Sequence, residues 1–151
     1  MALTFLCPLH RDWVYFHPQD ALAQLDGTQY QGEVLMQKHE WHEAMTFFGC
    51  AFETTEILIE LEGFGKSFLL SRLTTLAMLL ANSFAKLNAI NHGQLVLKQT
   101  QIKLQLIAES FLGNQPKQDH VEQCLLAVQS SLEQLVFMHP LAQDMSSASI
   151  H

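Results

Sequence analysis

From Asp20 to Met138 the chain is a succession of long segments whose apolar residues return at helical spacing, cut by short breaks at 62–65 (EGFG), 88–93 (NAINHG) and 113–116 (GNQP). The segments span about 20–38, 40–61, 66–87, 94–112 and 117–138, which is too long for strands. Seven glycines and four prolines fall mostly between these segments, so the expected class is all-α: antiparallel helical hairpins stacked as a short array with a capping helix at the C-terminus.

The faces of the segments refine this. Asp20, just after Pro18, is a good N-cap for the first helix, whose Gly27 and Gly32 weaken it unless a neighbouring helix approaches closely. In the second, Trp41, Ala44, Met45, Phe48, Ala51, Phe52 and Thr55 share one face. The third is the very apolar FLLSRLTTLAMLLANSFAKL. In the fourth, Leu95, Ile102 and Leu106 lie nearly opposite Leu97, Leu104, Ala108 and Phe111, and a helix apolar on two faces is expected between two neighbours. The fifth carries one stripe, Val121, Leu125, Val128, Leu132 and Leu135, over a back that is polar apart from Leu126 and Phe137, as suits the outermost helix of a stack.

The chain divides into three regions: an arm at 1–18, a helical domain at 19–139 and a polar tail at 140–151 that is expected to fray. The arm carries Trp13, Val14, Tyr15 and Phe16 between Pro8 and Pro18 and is read as extended or briefly helical. Its aromatics either cover one end of the core or fill a groove.

The formal net charge of −7, with eight Lys and Arg scattered singly, argues against nucleic acid and anionic membrane surfaces as partners. Cys7, Cys50 and Cys124 are distant and odd in number, which points to a reducing compartment rather than a disulfide framework. The opening MALTFLCPLH lacks a basic n-region, and no run of some 18 apolar residues is uninterrupted, so a cytoplasmic chain without a spanning helix is expected.

Four patterns suggest chemistry and fail on spacing. His39-Glu40-Trp41-His42-Glu43 places its histidines three apart, where a zinc-protease helix needs four, and no Glu stands three residues before a His as a di-iron bundle needs. Cys7, His10 and His17 supply one short-spaced pair where structural zinc uses two. GFGKS at 63–67 lacks the earlier glycine of a phosphate loop, Glu60 standing there, so Gly63 and Gly65 are read as helix-ending, with Lys66 and Ser67 opening the next helix. His92, in the break NHGQLV, is not the exposed mid-helix histidine that phosphotransfer requires. No catalytic residue, metal or cofactor is expected.

Residues 25–58 resemble a tetratricopeptide repeat: Gly32 and Leu35 in the first helix, a turn at Lys38-His39-Glu40, then Trp41, Ala44, Phe48 and Ala51. His39 stands where the turn glycine is usual, Leu35 where a tyrosine is, and the closing proline is missing. Ala81, Phe84, Asn88, Gly93 and Leu97 form a second, degenerate unit. The resemblance implies a protein-interaction module or adaptor whose first helices line a groove for a peptide or helix of another protein. By that resemblance the groove residues are Asp26, Gln29, Glu33, Met36 and Gln37, then Thr75, Met78, Asn82 and Lys86. The two methionines and acidic-to-neutral character favour a basic or apolar partner, and self-association through the arm or a stack edge is allowed. The alternatives are a helical sensor holding a small ligand or metal through its histidines, and an enzyme without a recognisable catalytic pattern.

Overall fold

The structure is a computed structural model that describes residues 4–63 and 65–150, with side chains described as far as Phe137. It contains six helices and, among the described residues, no strand: α1 (Pro8–Phe16), α2 (Pro18–Gln37), α3 (Trp41–Glu62), α4 (Ser67–Lys86), α5 (Ile90–Ser110) and α6 (Gln115–Ile150). Successive helices from α2 onward pack side by side, and α6 also packs on α4. Short connections reverse the chain each time, so α2, α4 and α6 run one way in one layer. In the other layer α1, α3 and α5 run the opposite way.

Cross-links place the members of each layer. Arg72 of α4 pairs with Asp26 of α2 and donates to Gln29 Oε1 at 2.8 Å, and Lys86 Nζ of α4 lies 5.6 Å from the centre of the Trp41 ring at the start of α3. In the second layer Arg11 of α1 pairs with Glu53 of α3, and Lys103 Nζ of α5 lies 2.5 Å from Glu56 Oε2 of α3.

The turns that end α2 and α4 are built alike. His39 and Asn88, 49 residues apart, have φ of 61° and 60°. The N–H of the next residue reaches back to the carbonyl five residues earlier: Glu40 to Leu35 at 2.9 Å and Ala89 to Phe84 at 2.8 Å. This left-handed C-cap satisfies carbonyls that the helix end would leave unpaired. His39 thus occupies a left-handed position of the kind that glycine usually takes at a helix end.

Gly32 is needed for close packing, because a Cβ there would stand 2.6 Å from the Phe48 ring of α3; Gly27 has nothing within 4 Å. Phe48 is fully buried, and truncating such a side chain to Ala costs about 3–5 kcal/mol. Beyond the predicted face of α3, Ile57, Leu58 and Ile59 are buried as well, because α1, α2 and α4 surround this helix. Helix α4 is long and apolar enough by length and composition to cross a membrane, and it packs here against α3, α5 and α6.

Of the two shapes expected for the arm, the structure has the briefly helical one: helix α1 is capped by Cys7 Sγ, which accepts from His10 N–H at 3.4 Å, and the arm buries Leu6 and Val14 while leaving Phe16 exposed. Two expectations are corrected. The break at 88–93 is shorter than predicted. Helix α5 starts at Ile90, and Gly93 lies inside it because a Cβ there would stand 2.9 Å from the Ala81 carbonyl of α4. His92 therefore sits in a helical first turn, with its ring stacked on Phe84 at 5.4 Å between centroids. Helix α6 runs to Ile150 and so takes in residues 140–150 of the polar tail.

Candidate functional site

Helix α3 presents Glu53, Glu56 and Glu60 on one face, at i, i+3 and i+7. Over this face opens a cleft of about 810 Å³, bounded by Thr4 and Arg11 on one side and by Lys103, Leu106 and Ile107 of α5 on the other; Ile57 and Ile59 of α3 also line it. Small-ligand sites fall in this size range.

The three carboxylates differ in what they hold. Glu53, 5% exposed, is fully committed: Oε1 accepts from the N–H groups of Phe5 (2.8 Å) and Leu6 (3.3 Å), and Oε2 pairs with Arg11. Burial pulls the Arg11 pKa down, but the Glu53 charge and hydrogen bond outweigh it and leave the guanidinium above its ordinary value. Glu56 is partly exposed and shares Lys103. Glu60 is exposed and, among the described residues, accepts only the Tyr15 hydroxyl, at 2.9 Å. That bond, with burial and the Glu60 charge, raises the Tyr15 pKa, because the neutral phenol is the form that donates.

The wall formed by α5 is where the structure departs most from the sequence reading. Leu97, Leu104 and Ile107 are buried, but Ile102 is 58% and Leu106 60% exposed. The second apolar face of α5 is not sandwiched: α4 and α6 cover one side, and no described helix lies over the other. Leu106 borders the cleft directly.

The residues predicted from the repeat resemblance lie on the other layer. On α2, Asp26 and Gln29 are tied to Arg72, and Gln29 Nε2 donates to Glu33 Oε1 at 3.0 Å. Met36 and Met78 are half-buried against the core, whereas Gln37, Thr75, Asn82 and Lys86 are exposed, with Lys86 over Trp41. The structure thus brings the nine onto two neighbouring parallel helices, away from the cleft over α3. Sequence reasoning missed Glu53, Glu56 and Glu60, although their i, i+3, i+7 spacing was a signal, and it placed Leu106 in a buried seam.

A serine–histidine pair joins α4 and α6. Ser71 Oγ lies 3.1 Å from His120 Nε2, but that nitrogen is also 3.0 Å from the Ser67 carbonyl, which accepts only if Nε2 carries the proton. A nitrogen that donates cannot take the serine proton, so the pair is a tether between α4 and α6.

Comparison with protein-family models, with curated proteins and with solved structures finds no significant match to the chain.

Proposed function

We propose that the chain is a protein-interaction module that holds a helix of a partner protein over α3, between α1 and α5. The observation that carries this reading is the uncovered apolar face of α5: Ile102 and Leu106 are both about three-fifths exposed, and Leu106 stands on the wall of an 810 Å³ cleft whose lining includes Ile57, Ile59 and Ile107. A stable helix does not keep a second apolar stripe open without cost in solubility, and an uncovered stripe beside a concave surface suits a partner's apolar side chains.

The likeness of the two hairpin turns supports a repeat-based interaction fold. Their spacing of 49 residues is longer than the roughly 34-residue tetratricopeptide period, so the resemblance is to the hairpin rather than to the period. The partner site is accordingly placed on the α3–α5 layer rather than on the α2–α4 face. Free thiols at Cys7, Cys50 and Cys124 suit a reducing compartment such as the cytoplasm.

A photo-crosslinking amino acid tests the reading when placed in turn at Ile102 and at Asn82 in cell extract. Capture from position 102 that disappears with Leu106→Asp supports it; capture from position 82 alone assigns the α2–α4 face.

A further inference from the structure

The charges on α3 say more about the partner than the apolar wall does, and an inference drawn from them rests on the reading of the cleft as the partner site. Of the three carboxylates along the cleft, Glu53 is buried and both its oxygens are engaged in docking the arm, Oε1 by two N–H groups and Oε2 by Arg11. Glu56 is in a pair whose side chains are 33% and 38% exposed, and ion pairs of that exposure exchange partners at little cost. Among the described residues Glu60 is paired with no cation; its partner is the neutral hydroxyl of Tyr15. The described lining of the cleft therefore holds three carboxylates against two cations, Arg11 and Lys103, on a chain of net charge −7.

Glu56 and Glu60 stand one helical turn apart, about 6 Å along the axis, and both face the cleft. We propose that the segment held there is a cationic amphipathic helix: its Lys or Arg side chains, one turn apart, meet Glu60 and Glu56, and an adjacent apolar side chain packs on the exposed Leu106. Lys103 then releases or shares Glu56 and turns to solvent. An acidic helix would meet Glu60 uncompensated, so the site discriminates by repulsion as well as attraction. The negative field of the chain steers a cationic partner toward the cleft and raises the association rate at low salt.

Two designed peptides of about 15 residues, long enough for measurable helicity, test this. Both carry one Leu stripe; one has Lys pairs one turn apart beside it, and the other has Glu at those positions. Binding is followed by calorimetry together with methyl spectra of the Ile and Met side chains. The expected result is that the Lys peptide binds and shifts Ile57 and Ile107. Its affinity should drop about two- to fivefold for Glu60→Gln and again for Glu56→Gln, and fall further on raising salt from about 0.05 to about 0.5 M, while the Glu peptide binds far more weakly. If both peptides bind alike and shift Ile57 and Ile107, the cationic assignment fails and the cleft reading stands. If neither binds, or the shifts fall on Met36 and Met78 instead, the cleft reading fails and the assignment with it.

Discussion

Lys103 Nζ of α5 and Glu56 Oε2 of α3 meet at 2.5 Å at the edge of a cleft that the two helices line together. The pair spans helices whose neighbours are otherwise α4 and α6 for α5, and α1, α2 and α4 for α3, so it marks where the second layer opens. It joins two helices without filling the space between them.

Because both side chains are about one-third exposed, the pair adds little stability. Lys103→Ala is expected to cost less than about 1 kcal/mol in urea unfolding, an upper bound given the screening of exposed charges. Leu106→Asp should likewise change stability by no more than about 0.5 kcal/mol while removing the apolar wall. A large loss from either would mean that this face is part of the core.

Two of the glycines that lie within helices, Gly93 and Gly27, predict opposite signs. Gly93→Ala places a methyl 2.9 Å from the backbone oxygen of Ala81 and 3.3 Å from Leu135 Cδ1, and should destabilise by about 1–3 kcal/mol. Gly27→Ala meets nothing within 4 Å and should stabilise by about 0.5–1 kcal/mol. Equilibrium unfolding of the two variants side by side checks both.

Glu53 ties the arm to α3 through Phe5 N–H, Leu6 N–H and Arg11. Glu53→Ala leaves those donors without their acceptor, at a cost of about 1–3 kcal/mol. Arg11→Ala removes one of the three and should cost less. Limited proteolysis is the readout that separates them: cleavage near 4–16 should accelerate strongly for the glutamate variant and modestly for the arginine variant.

Alkaline pH should act on Tyr15 and Cys50 in the same direction. Both have pKa values raised in the folded chain, Tyr15 by its bond to Glu60 and by burial, Cys50 mainly by burial with Glu53 and Cys7 adding. An acid whose folded pKa is raised contributes stability that is fully present below its unfolded value and is lost as pH rises through the folded one. The loss should begin above about pH 8.5 for the thiol and about pH 10 for the phenol. Tyr15→Phe should abolish the later component of the decline in melting temperature, and Cys50 should alkylate more slowly than the exposed Cys7.

At His39 the left-handed φ of 61° is strained for a residue with a Cβ. His39→Gly should stabilise by up to about 1 kcal/mol, and an unchanged midpoint would show that the turn bears no such strain.

Phe48, Ala44, Ala51 and the stripe on α6 are legible in the sequence, because a single-sided apolar period reports burial directly. The turn at His39 is legible from its place between two such segments. Gly93 reads as a break, since a glycine that ends a helix and one that lets a neighbouring backbone approach look the same in one dimension. The arm helix is half legible: two prolines leave extended and briefly helical shapes open, and a proline at the first helical position favours the helix that forms. Ile102 and Leu106 show as a second apolar face, but periodicity does not say whether the chain itself supplies the cover. Glu53, Glu56 and Glu60 read as a solvated edge until the arm and α5 close around them.

The central claim is that the partner-binding surface lies over α3 rather than along α2 and α4, and methyl resonances report on both at once. Ile57, Ile59 and Ile107 line the cleft, and Met36 and Met78 lie on the other layer. On titration with a binding helix, shifts concentrated on the three isoleucines, with Met36 and Met78 unmoved and the response lost in Leu106→Asp, are the predicted result. Shifts concentrated on Met36 and Met78, unaffected by Leu106→Asp, would contradict the account.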